Sequence, residues 1–178
     1  MSFGQLWCEH NLRLYEKFKK GERTILNLDE YVTCTGAIYD MCWKRDMNYS
    51  RQLLYDRYKS SFQDYIPAVV LPDLMQRQDE SLLRELVRRW DIHKELVRFV
   101  SNFLQNLDRY FIPKHSLPTL TEVGRGCFKD LVFSDEMFFI AYRKEVNCLI
   151  VGERQGEEIY HSWLEKSKGL FLELGIDL

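Results

Sequence analysis

Residues 79–112 read DESLLRELVRRWDIHKELVRFVSNFLQNLDRYFI. Leu82, Leu83, Leu86, Val87, Trp90, His93, Leu96, Val97, Val100, Phe103, Leu104, Leu107 and Tyr110 recur at intervals of three and four. That spacing lays one apolar stripe along an α-helix, whereas a strand would need strict alternation. The pattern outruns an ordinary globular helix of about 8–20 residues, so a bend or break is expected within it.

The same period extends outward in both directions. Downstream, PKHSLP reads as a loop, and GRGC at 124–127 reads as a turn at a helix entry. A helix is expected over 119–132, through Val123, Cys127, Phe128, Leu131 and Val132, and another over 134–151. ERQGEE is polar and turn-like. A last apolar face follows from Ile159 through Trp163, Leu164, Leu170, Phe171 and Leu174, closed by Gly175.

Upstream, Leu54, Tyr55, Tyr58, Phe62, Tyr65 and Ile66 mark a helix after the break KRDMNY, with Ser50 as a cap. Pro67 and Pro72 bracket AVVL, so that helix should kink or end there. A helix over 27–43 opens at Asn27, with Glu30 placed to complete a capping box. One over 3–20 carries Leu6, Trp7, Leu12, Tyr15 and Phe18 and stops near Gly21. FFIAY at 138–142 is the nearest thing to a strand, but it sits in a helical period. The fold class that follows is all-α, an elongated helical bundle forming a single domain over 1–178.

Composition narrows the function. The chain is 46% hydrophobic and 29% charged, with 14% aromatics and only 9 Gly and 4 Pro, the profile of a folded helical protein. A net charge of -2 provides no overall field for nucleic acid or an anionic membrane, so neither is expected as a partner. The first ten residues lack the pattern of a signal peptide. Five cysteines at irregular spacing, with no CxxC pair, read as reduced thiols, which places the chain in cytoplasm and nucleus.

No phosphate loop, dinucleotide fingerprint, nucleophile elbow or zinc-protease motif is present. Cys34 and Cys42 are about 12 Å apart along a helix, too far to share a zinc, so no metal or cofactor is expected. Arg84, Arg88 and Arg89 are diluted by Glu80 and Glu85 and read as a solvated stripe. His93, beside Trp90 and Leu96, reads as a packed structural histidine.

One stretch stands apart. LDEYVTCTGAIYDMC at 28–42 sets Tyr31, Thr35 and Tyr39 four residues apart on one stripe, beside the small residues Cys34 and Gly36. Residue types alone leave two readings open. The tyrosines either pack inside the bundle or anchor a partner, which suits large rigid rings.

LLRELVRRWDIHKELVRFVSNFLQNLDRYFI, SLPTLTEVGRGCFKDLVF, ERQGEEI and LFLELGI, in that order, resemble the first repeat of the N-terminal stalk of plant cullins of the SCF class. EYVTCTGAIYDMC and YSRQLLYDRYKSSFQDYI fit the two preceding helices of that repeat, so the likeness spans 28–178. The resemblance implies one cullin repeat and a non-catalytic scaffold of a ubiquitin ligase. In that family the first repeat docks a Skp-family adaptor carrying an F-box substrate receptor. Tyr31, Val32, Thr35 and Tyr39 would form one side of that docking face, and Asn106, Arg109 and Tyr110 the other.

Two departures accompany the likeness. The family usually has Leu then Tyr where Cys34 and Thr35 stand, and often an aromatic at the place of Asn106. These changes imply either weakened docking or a fit to a divergent adaptor. The sequence also lacks the second and third repeats and the C-terminal domain that holds the RING-box protein, a partner expected only of a full-length form. Three functions follow as expectations: an adaptor-binding scaffold module, a naturally short competitor for adaptor, and, from another class, a helical enzyme with a pocket near His93 and Cys127.

Overall fold

The computed structural model describes residues 32, 36, 47–77, 80–134, 144, 146–147, 151 and 158–176, and none of these lies in a strand. Its elements are α1 (Met47–Tyr65), a first π turn (Ile66–Val70), α2 (Leu71–Met75), α3 (Glu80–Phe103), a second π turn (Leu107–Phe111), α4 (Ile112–His115), α5 (Leu120–Val132) and α6 (Glu158–Leu174). Residues 144, 146, 147 and 151 are helical, within the helix expected over 134–151. The helix expected over 3–20 lies outside the described residues, as does that over 27–43 except for Val32 and Gly36, which are helical.

The long pattern over 79–112 does break. Beyond Phe103 the Leu107 N–H reaches back only three residues, donating to the Leu104 carbonyl at 2.8 Å. The chain then widens, and the Ile112 N–H donates to the Leu107 carbonyl five residues back. The cause is the next residue. Pro113 has no N–H, and its ring crowds the carbonyl four residues before it, that of Arg109. A wider π turn makes room at that point.

The same device explains the upstream prolines. There the Leu71 N–H donates to the Ile66 carbonyl, and Pro72 follows. The helix therefore neither stops at Pro67 nor ends before Pro72; it widens for one turn and continues to Met75.

Other boundaries differ in detail from those the spacing predicts. α1 starts at Met47, because nothing in MNY breaks a helix, and Ser50 sits inside it. PKHSLP is helical as far as His115. The chain then stops on Ser116 in the left-handed region (φ 52°), with the Leu117 N–H donating to the Ile112 carbonyl at 3.1 Å. GRGC is not a turn at a helix entry but lies well inside α5. The entry of α5 is instead a capping box. The Glu122 N–H donates to Thr119 Oγ1 at 3.2 Å, and the Thr119 N–H donates to Glu122 Oε2 at 2.8 Å. Gly175 (φ 62°) closes α6 as its position suggests, with the Ile176 N–H bonded to the Phe171 carbonyl.

The chain divides into two compact units, one of Met1–Asp64 and Lys94–Gly124, the other of Tyr65–His93 and Arg125–Leu178. In the first, Leu54, Tyr58, Phe62, Val97, Val100, Leu104, Phe111 and Leu120 are buried. Tyr58 is completely enclosed. It meets Phe62 edge-on at 5.0 Å and donates its hydroxyl to the Leu120 carbonyl at 2.8 Å, which offsets the cost of burying it. Tyr55 donates to the Pro118 carbonyl at 2.9 Å. Gly124 is needed here because a Cβ would come within 2.5 Å of Val97 Cγ2.

In the second unit, Trp90, His93 and Phe128 form a ring cluster with centroids 4.9–5.8 Å apart. Trp90 also donates its indole N–H to Glu173 at 2.6 Å. Arg89 is buried. It bonds Glu85 through Nε at 2.6 Å and pairs with Asp73. Its burial pulls the guanidinium pKa below the ordinary value. Glu85 also receives a two-pronged bond from Arg88, at 2.6 and 2.9 Å, which holds Arg88 more firmly charged.

Candidate docking surface

The second π turn, LDRYF, presents the candidate site. Leu107 and Phe111 are buried, while Asn106, Arg109 and Tyr110 are exposed. Tyr110 keeps 63% of its surface open, a large exposure for an aromatic ring on an ordered helix.

The widened turn accounts for this division. At about 100° per residue, an α-helix would place residue 110 about 60° from Leu107, on the flank of the buried stripe. A wider turn advances less per residue. It brings Phe111 back over Leu107 and carries Tyr110 farther from the core. The three- and four-residue spacing put Tyr110 on the apolar stripe; in the structure Phe111 holds that place instead.

The turn is tied down from its inner side. Asp108 Oδ1 accepts the Leu120 N–H at 3.0 Å, supplying one of the N–H partners that the start of α5 lacks. Tyr55 and Tyr58 grip the same segment through the Pro118 and Leu120 carbonyls. The outward residues are uncommitted by comparison. Asn106 makes no capping bond through its side chain. Arg109 has no ion pair among the described residues.

Of the other predicted contact residues, Val32 is helical and 60% exposed. It belongs to the same compact unit as the LDRYF turn. Tyr31, Thr35 and Tyr39 lie outside the described residues. Two residues were missed by sequence reasoning. Tyr49, 67% exposed on α1, belongs to this unit as well, and its clue was an aromatic standing off the Leu54–Tyr58–Phe62 face. Asp108 was missed because its role depends on a residue twelve positions away.

The remaining candidates have structural surroundings. His93 and Cys127 are buried, and His93 lies against the rings of Trp90 and Phe128, so packed side chains stand where an enzyme pocket was considered. Arg84 and Arg88 line an open cleft of about 490 Å³ with Arg77 and Lys166, but Glu85 and Asp91 share it, as a solvated stripe of mixed sign would. Among the described residues no group of three or more His, Cys, Asp or Glu is placed to hold a metal ion, and no helix is long and apolar enough to cross a membrane.

Comparison with known proteins agrees with this architecture. Residues 16–178 match the model of the cullin alpha solenoid domain. The chain is similar to Cullin-1 of rice, Oryza sativa subsp. japonica, with 42% identity over 148 residues, covering 83% of this chain and 20% of that protein. It is 40% identical over 125 residues to Cullin-like protein 3 of Arabidopsis thaliana, covering 70% of this chain and 48% of that protein. It is 38% identical over 129 residues to Arabidopsis Cullin-2, covering 72% of this chain and 17% of that protein. The chain thus spans between about a sixth and a half of the length of these relatives. An all-helical chain matched over nearly its whole length by one domain model, and about 40% identical to cullins of two plants, belongs to the cullin family and is of the plant kind.

Proposed function

We propose that this chain is the adaptor-docking module of an SCF-type cullin–RING ubiquitin ligase. It binds a Skp-family adaptor carrying an F-box substrate receptor, and acts as a scaffold without an active site of its own. The RING-box protein would join only through a C-terminal cullin domain, and the complex would work in cytoplasm and nucleus. The observation that carries the reading is the LDRYF turn. It holds Arg109 and Tyr110 outward on a braced support, and both are residue types that dominate binding energy at interfaces. Val32 adds an exposed apolar contact in the same unit. Cys34, Thr35 and Asn106, smaller or more polar than the family's usual residues, would tune the face toward a divergent adaptor.

A second reading is that the chain competes for adaptor without assembling a ligase. It is favoured by Arabidopsis Cullin-like protein 3, whose matched part is 48% of its length against 20% for rice Cullin-1, so shortened relatives occur. A transcript continuing in frame past Leu178 would remove it.

The test of the main reading is titration calorimetry against a panel of plant Skp-family adaptors, each paired with an F-box domain. Binding of at least one pair, weakened by Tyr31→Ala and by Tyr110→Ala, is the expected result. A folded chain that binds none of the panel would overturn it.

A further inference from the structure

We infer that Asp108 and Pro113, neither of which faces outward as Tyr110 does, are positioning residues that decide where the docking face points. The inference rests on the adaptor-docking reading and deepens it. Three observations carry it. The Ile112 N–H bonds the Leu107 carbonyl, five residues back, rather than the Asp108 carbonyl four residues back. The next N–H that the Asp108 carbonyl would need is absent, because residue 113 is proline. Asp108 Oδ1 meanwhile takes the Leu120 N–H at 3.0 Å, so the turn is anchored to the start of α5 through the one residue whose own carbonyl lacks both its α and its π partner.

Each residue controls a different freedom of the turn. Pro113 sets its width. With a non-proline residue at 113 the Arg109 carbonyl regains an N–H partner, an α register becomes available, and Tyr110 swings back toward the flank of the Leu107 stripe. Asp108 sets its depth. Without the carboxylate the Leu120 N–H has lost this acceptor, and the turn is free to slide along α5. Neither change removes an atom from the outer face, and both re-aim Arg109 and Tyr110.

The experiment measures adaptor affinity by calorimetry for folded Asp108→Ala, Asp108→Asn and Pro113→Ala chains. Each is first checked for wild-type helicity and a cooperative thermal transition. Asp108→Ala and Pro113→Ala should each weaken binding at least fivefold. Asp108→Asn keeps an oxygen acceptor and should stay within twofold of wild type. In a Tyr110→Ala background the Asp108→Ala and Pro113→Ala losses should shrink to less than twofold, since a positioning residue acts through the group it positions. If Asp108→Ala unfolds the chain, the Pro113→Ala arm of the cycle decides alone. Wild-type affinity in both variants, or losses that add in full to that of Tyr110→Ala, would overturn the inference while leaving the docking reading intact. If the wild-type chain itself binds no adaptor, it is the docking reading that fails, and the inference falls with it.

Discussion

The two π turns are built alike and used differently. Each is five residues long, buries its first and last side chains, and hands its closing N–H back five residues just before a proline. They part on the outer face. The first presents Pro67 and Ala68, which offer a partner little to hold; the second presents Arg109 and Tyr110. Their anchors differ as well. Beyond the first turn, Asp73 pairs with buried Arg89, a contact that serves the interior. Within the second, Asp108 braces the turn itself against α5. Even their exits differ: α2 ends on Gln76 in right-handed backbone, whereas α4 ends on Ser116 in the left-handed region. A proline-driven widening is thus a backbone solution that says nothing about function. The side chains on its outer face carry that information.

The largest effect should come from the interior near the first turn. Glu85→Ala strands the buried Arg89 guanidinium and should cost about 3–5 kcal/mol, read as a large fall in the urea midpoint. A loss below about 1 kcal/mol would put the Arg89–Glu85 pair on a par with a surface ion pair and blur the contrast.

Next is the outer face of the second turn. Tyr110→Ala should weaken adaptor binding on the order of thirtyfold, about 2 kcal/mol, and move the melting transition little. Ala68→Ser, at the matching face of the first turn, should change neither quantity. Equal effects on binding from the two substitutions would break the comparison.

The seat of the second turn is tested on α5. Gly124→Ala drives a methyl into Val97 and should destabilise by about 1–3 kcal/mol. Gly126→Ala, with open space around it, should instead stabilise by about 0.5–1 kcal/mol by favouring helix. Denaturant melts of both variants give the two signs directly. If Gly124→Ala is neutral, α5 is not held closely against Val97.

The smallest effect belongs to the exit. Ser116 sits at φ 52°, which costs a side-chain-bearing residue about 1–2 kcal/mol, partly offset in glycine by chain entropy. Ser116→Gly should therefore stabilise by about 0.5 kcal/mol. The equivalent Gln76→Gly at the right-handed exit of α2 should destabilise slightly.

Much of this was legible in the residues. The stripe from Leu82 to Leu107 identifies a helix because burial of one face demands that period, and the excess length signalled a break. The Thr119 capping box was readable too, as Thr, two residues, then Glu before an apolar run, although the spacing of apolar residues alone did not reveal it. Arg109 and Tyr110 were legible as contact residues only through resemblance to cullins. Periodicity assigned Tyr110 to the core, because one proline six residues past Leu107 changes the advance per residue and no count at fixed spacing can register that.

By itself, then, the sequence determined that the chain is helical, where its long pattern would fail, and which family its segments resemble, since all three depend on local spacing and residue type. Tertiary structure alone decided that Phe111 rather than Tyr110 is buried, that Asp108 serves Leu120, that Gly124 must lack a side chain, and that Glu85 can sit inside beside Arg89. The physical reason is common to all four. Each depends on what another segment of the chain brings within a few ångströms, whether a carbonyl, an N–H, a methyl or an opposite charge, and that proximity is absent from any stretch read alone.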